Sequence, residues 1–145
     1  MPGPPAYFDT SVLLKRYLRE AGAALTDRLL DRHDVVASAV TTVEARAALA
    51  RRRGEGEIAP PAAATALANI RTDQSYWLLL DVAPSVLRRA EDLVQAGRLR
   101  TLDAIHIGSC LVYQELAGRP VPFVTADARQ RRAAEGANLE VVWVA

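Results

Sequence analysis

The chain has one cysteine, Cys110, and one lysine, Lys15, among its 145 residues. A lone cysteine in an apolar helical pattern excludes an internal disulfide framework and predicts a reducing compartment, with the cytoplasm as the expected location. No apolar run approaches the roughly 20 residues of a membrane-spanning helix. The opening MPGPPAY lacks the basic and apolar regions of a secretory signal, so no membrane association is expected. A net charge of only +1 gives no global pull toward a polyanion. Any affinity for nucleic acid must therefore come from local patches or bound cations. Internal repeats, long linkers and low-complexity tails are also missing; the one loose segment is GEGEIAPP at 54–61, a polar loop between helices.

Half of the residues are apolar, enough for a hydrophobic core without disulfides or structural metal, and the length predicts one domain over 1–145. Apart from Lys15 the basic residues are all arginine. Its planar fork suits phosphate, although an alanine-rich and arginine-rich composition is also what genomic base bias produces.

Short apolar runs alternate with helical patterns along the chain. Strands are predicted at Tyr7, over 35–37 and 77–82, at FVTA (123–126) and at LEVVWV (139–144). Helices are predicted from Ser11, from Ala21, and over 42–53, 61–72, 85–96, 102–118 and 128–135, with Gly97 and Gly136 as stops. Strands separated by helices require crossover connections, so the expected fold class is α/β, a three-layer α/β/α sandwich with a mostly parallel central sheet. In such sheets ligands bind at the carboxyl ends of the strands.

Four acids arrive at that edge. Asp9 directly follows the first strand, and Asp127 directly follows FVTA. Glu44 lies near the start of the helix after the second strand. Asp103 opens a helix that runs antiparallel to the strand it feeds, which again places it over the carboxyl edge. Each has a local explanation. Thr41 to Glu44 fits a capping box, Asp103 complements a helix dipole, and Asp9 and Asp127 suit N-caps. If the four meet, like charges at close range raise some of their pKa values and call for a cation. Hard oxygen ligands favour magnesium or manganese, which hold phosphate oxygens and activate water for attack on phosphorus.

Beside the acids, the hydroxyls of Ser11 and Thr125 are candidates to orient a carboxylate, a water or a phosphate, with capping as the alternative. Arg100, Arg129, Arg131 and Arg132 flank Asp103 and Asp127 and are candidate contacts for the phosphates of a nucleic acid. The RRR run at 51–53 is explained by a helix C-terminus. His106 is read as a packed, hydrogen-bonded residue outside the catalytic set. Tyr7, Tyr17, Tyr76, Trp77 and Trp143 are assigned to packing.

FDTSVLLKRY, TTVEARAAL, LDAIHIGSC and FVTADARQRRAAEGANLEVVWV, in this order and spacing, resemble the PIN-domain proteins, specifically the VapC-like toxins of toxin–antitoxin pairs. The resemblance implies an endoribonuclease dependent on Mg2+ or Mn2+. Asp9, Glu44, Asp103 and Asp127 match the family's four acidic positions, with Asp9, Asp103 and Asp127 as the metal-holding set. It also implies a homodimer and a small antitoxin partner. Where some relatives carry a further acid or an aromatic after the fourth acid, this chain has Ala128, Arg129 and Gln130, so at least one metal is expected.

Other classes fit less well. A receiver module needs an acidic pair at the first strand and a late lysine, and a haloacid-dehalogenase-type phosphatase needs an aspartate where Ser11 stands. A PIN nuclease of RNA processing without an antitoxin, and a catalytically silent PIN-like binding module, remain the alternatives; the intact acids speak against the second.

Overall fold

The structure, a computed structural model, describes residues 3–97 and 99–145. Its strands are β1 (Pro5–Phe8), β2 (Asp34–Ser38), β3 (Leu78–Leu80), β4 (Phe123–Thr125) and β5 (Val141–Trp143). They are joined by helices α1 (Thr10–Leu18), α2 (Ala23–Arg32), α3 (Thr41–Gly54), α4 (Pro60–Gln74), α5 (Pro84–Ala96), α6 (Thr101–Ala117) and α7 (Ala128–Gly136). All five strands are parallel, in the order β3-β2-β1-β4-β5. The α/β expectation holds. The 54–61 segment does connect two helices, although Gly54 ends α3 and Pro60 and Pro61 already lie in the first turn of α4, where a fixed φ suits a helix start.

The sheet grows from β1 outward to β2 and β3, then returns to place β4 on the other side of β1. That reversal opens a crevice at the carboxyl ends of β1 and β4. Register fixes its walls: Phe8 pairs with Val124, so the residues that follow the two strands emerge side by side.

Successive strand residues face opposite ways. Ala6 and Phe8 join Val12, Leu13, Leu29 and Val124 in one buried layer, while Tyr7 joins Val36, Ile107, Cys110 and Phe123 in the other. Helices α5 and α6 pack closely over Gly108, where an added Cβ would come within 3.3 Å of the Val86 carbonyl. This contact sets the seat of α6, which carries Asp103.

One packing expectation fails. Tyr76 is 85 % exposed, because β3 begins two residues later, at Leu78, and Tyr76 lies in the turn after α4. Trp77 does pack, between the α1–α2 and the α3–α4 layers. Among the described residues no helix is long and apolar enough to cross a membrane.

Candidate functional site

Asp9 follows β1 in extended conformation (φ −76°, ψ 164°) and caps α1, accepting from the Ser11 and Val12 amides at 2.8 and 3.4 Å. Its side chain is fully buried. Oδ1 also accepts from the Ser11 hydroxyl, and Oδ2 accepts from the Thr125 hydroxyl at 2.5 Å. Burial pushes the Asp9 carboxyl above its ordinary value, and the Ser11 and Thr125 donors pull it partly back.

The same hydroxyls extend the network across the crevice. Ser11 Oγ accepts from the Ala126 amide at 3.2 Å, and Thr125 Oγ1 accepts from the Asp127 amide at 3.1 Å. Asp127 in turn caps α7, accepting from the Arg129 and Gln130 amides at 2.8 and 3.2 Å. Asp9 and Asp127 are therefore N-caps and also the two walls of the crevice, so the local explanation and the shared edge are compatible. Ser11 and Thr125 orient the Asp9 carboxylate and tie the β1 and β4 ends together.

Asp103 lies in the first turn of α6. Its carboxyl is raised by burial and by the negative charge of Asp127, against Arg129 and Arg100, which lower it. Two carboxylates that repel in this way mark the open side of the crevice, with Arg100 and Arg129 as the nearby cations. Arg131 is engaged elsewhere, its guanidinium 5.1 Å from the Trp143 ring centroid and 3.1 Å from Glu135. Arg132 and Arg129 line a cleft of about 520 Å³ floored by Leu93, Leu99 and Ala137.

Glu44 does not complete a capping box: the N-cap of α3 is Val40, which makes no side-chain cap. Its Oε1 instead accepts from the Thr10 hydroxyl at 2.8 Å and from His106 Nε2 at 2.5 Å. Burial alone would raise this carboxyl, but the hydrogen bonds from His106 and from the Thr10 hydroxyl outweigh it, so Glu44 lies below its ordinary value. Sequence reasoning missed Thr10, Thr41 and the roles of His106 and Tyr7. Thr10 lies between two residues it did select, and its hydroxyl also reaches Thr41 Oγ1 at 3.3 Å. The His106 contact joins positions 62 apart, which no local pattern signals.

The donor set is all hard oxygen, the chemistry of magnesium or manganese. Among the described residues no three His, Cys, Asp or Glu side chains close into a metal cage. That fits an ion which takes one or two carboxylates and fills its remaining positions with water and phosphate oxygens. Asp103 and Asp127 are partly exposed at the crevice, while Asp9, buried, accepts on Oδ2 from Thr125 alone, which leaves a lone pair there.

The PIN domain family matches residues 6–136. Ribonuclease VapC45 and Ribonuclease VapC49, from two strains of Mycobacterium tuberculosis, are each 30% identical over 113 residues, 74% of this chain and 76% of theirs. Among solved structures, FitAcB from Neisseria gonorrhoeae superposes with a TM-score of 0.69 at 16% identity, covering 94% of this chain and 95% of that one. A toxin–antitoxin complex from Klebsiella pneumoniae gives 0.65 at 17% identity, with the same coverage. VapBC-5 from Mycobacterium tuberculosis, a member of the VapBC family of toxin–antitoxin systems, gives 0.61 at 19% identity over 97% of both chains. At these identities the structures speak for the fold.

Proposed function

Because the chain belongs to the PIN-domain family and is similar along most of its length to VapC ribonucleases, we propose that it is an endoribonuclease dependent on Mg2+ or Mn2+. We assign it as the toxin of a toxin–antitoxin pair, carried by one domain over 1–145. The observation that carries this reading is the juxtaposition of Asp9 and Asp127 at the carboxyl ends of β1 and β4, tied through Ser11 and Thr125 at the edge where α/β sheets bind ligands, with Asp103 near enough to be raised by the Asp127 charge.

Asp103, Asp127 and Asp9 would hold the cation, with Ser11 and Thr125 ordering the Asp9 carboxylate and the crevice. A divalent ion, when bound, supplies Lewis-acid activation of water and neutralises charge developing on phosphorus. Glu44 accepts the proton of the attacking water. Arg100 and Arg129 hold the flanking phosphates, and Arg132 contributes from the neighbouring cleft. Arg131 is the weakest candidate for RNA, since Trp143 and Glu135 already engage it. Attack by external water leaves a 3′-hydroxyl and a 5′-phosphate. A small antitoxin and a second copy of the chain are the proposed protein partners, in keeping with the toxin–antitoxin complexes that share the fold.

The test is cleavage of a labelled structured-RNA pool by partner-free protein in magnesium, manganese or EDTA, with Asp103→Asn purified in parallel. Metal-dependent cuts that vanish in the variant and carry 5′-phosphate ends support the proposal. Cyclic phosphate ends, or equal cleavage by the variant, refute it.

A further inference from the structure

We propose that His106 is a positioning residue that acts through Glu44, in the tautomer that the Tyr7 hydroxyl also supports; the inference rests on the nuclease reading above. His106 lies one turn after Asp103 on α6 and is 1 % exposed. Its Nε2 is 2.5 Å from Glu44 Oε1, and its Nδ1 is 2.7 Å from the Tyr7 hydroxyl. The three residues come from α6, α3 and β1, so the line they form exists only in the assembled fold.

The chemistry of the partners orients the protons. An ionised carboxylate only accepts, so the hydrogen in the short contact to Glu44 belongs to Nε2. Tyr7 is fully buried, and a phenol, whose ordinary value is about 10, keeps its proton at neutral pH. That proton points at Nδ1, which accepts it. The Tyr7 ring is itself fixed by stacking on Phe123, with centroids 5.4 Å apart and planes 7° from parallel. The hydrogen bonds at the two ring nitrogens thus agree on one tautomer.

The effect on Glu44 is directional. Thr10 and His106 both donate to Oε1, and among the described residues no hydrogen bond reaches Oε2. One oxygen is pinned while the other is left to accept a proton. Glu44 is partly exposed, so that free oxygen has access to water. A base held by a second group, itself held by a third, is the arrangement that keeps a reacting carboxylate in one orientation.

The test uses the full chain with magnesium and a labelled RNA that the wild type cleaves. His106→Ala is expected to lower kcat by about 10- to 100-fold, with KM within about twofold. His106→Gln, whose amide N–H can take the place of Nε2–H, should recover activity to within about fivefold of wild type. Adding His106→Ala to Glu44→Gln should reduce kcat by less than about twofold more, as for residues that act as a unit. Unchanged kcat in His106→Ala, or full additivity with Glu44→Gln, overturns the proposal.

Long-range 1H–15N NMR of the imidazole gives a readout without turnover. The expected spectrum has a protonated Nε2 and an unprotonated, hydrogen-bonded Nδ1; in Tyr7→Phe the Nδ1 signal shifts as it loses its donor while Nε2 keeps its proton. A protonated Nδ1 with a bare Nε2 in the wild type refutes the inference even where cleavage is robust. Failure of the wild type to cleave RNA would instead count against the nuclease reading, and the NMR result would still decide the network.

Discussion

Asp9 and Asp103 are both carboxyls raised by burial at the same sheet edge, yet they are built differently. Asp9 is fully enclosed and receives amide and hydroxyl donors on both oxygens. Asp103 is partly exposed; burial raises it most, and the groups that then act on it are charges, Asp127 against it and Arg129 and Arg100 in its favour. The first carboxylate is part of the construction of the crevice, whereas the second is one that the proposed mechanism gives only to a cation. A raised carboxyl is therefore not one kind of signal; what surrounds it decides whether it holds the fold or awaits a ligand.

Substitution separates the two most sharply. Asp103→Asn is expected to reduce cleavage by at least about 100-fold, the loss of several kcal/mol of transition-state stabilisation. Removing the repelled charge should leave the metal-free protein as stable as wild type or slightly more so, as read by thermal melting. Asp9→Ala should lose cleavage as well, but with destabilisation of about 3 kcal/mol in urea unfolding, from a lost N-cap and a stranded Thr125 hydroxyl. A stable Asp9→Ala, or an unstable Asp103→Asn, would break the distinction.

Acidity provides a subtler probe. Both carboxyls are raised in the folded state, so the folded protein binds protons more tightly than the unfolded chain, and their contribution to stability is fully present below about pH 4. It is lost as pH rises through their folded values. Glu44, lowered in the fold, contributes the opposite way: its stabilisation is present above about pH 4.3 and is lost as pH falls through its folded value. Thermal melts between pH 4 and pH 7 in EDTA should show Asp103→Asn with a shallower decline than wild type. Excess magnesium should restore wild-type stability at pH 7 by linkage and restore the variant less. Equal slopes with and without Asp103 would remove its charge from the account.

The smallest expected effect is read at Cys110, buried on α6 with its thiol pushed up to about 12 by burial. Native protein at pH 8 should resist thiol labelling. Asp9→Ala should label faster by local opening, and Asp103→Asn should match wild type.

Much of the edge could be read from the chain before folding. Asp9 and Asp127 each stand one or two residues beyond a short apolar run, so strand direction alone places them together. The helix feeding β4 places Asp103 by the same geometry. Glu44 was legible as a position but not as an environment: the TTVE pattern suggests capping, whereas tertiary contacts from Thr10 and His106 take its carboxylate. His106 and Tyr7 looked like packing because burial and function produce the same apolar surroundings. Tyr76 was misread for the opposite reason. Aromatics in an apolar run resemble strand interior, but the chain has not yet entered β3 at that point. Arg131 shows the limit for surface charges, whose partners are chosen by helix rotation and by neighbours such as Trp143.

The bond between Asp9 and Thr125 spans 116 positions, and this has a consequence in time. A ribosome releases Asp9 early, while the hydroxyl that orients it and the strand that pairs with β1 arrive more than a hundred residues later. Until Thr125 has cleared the exit tunnel, the first acid has no opposite wall and the crevice does not exist. A chain whose proposed target is RNA is in this way without its assembled crevice for most of its own synthesis.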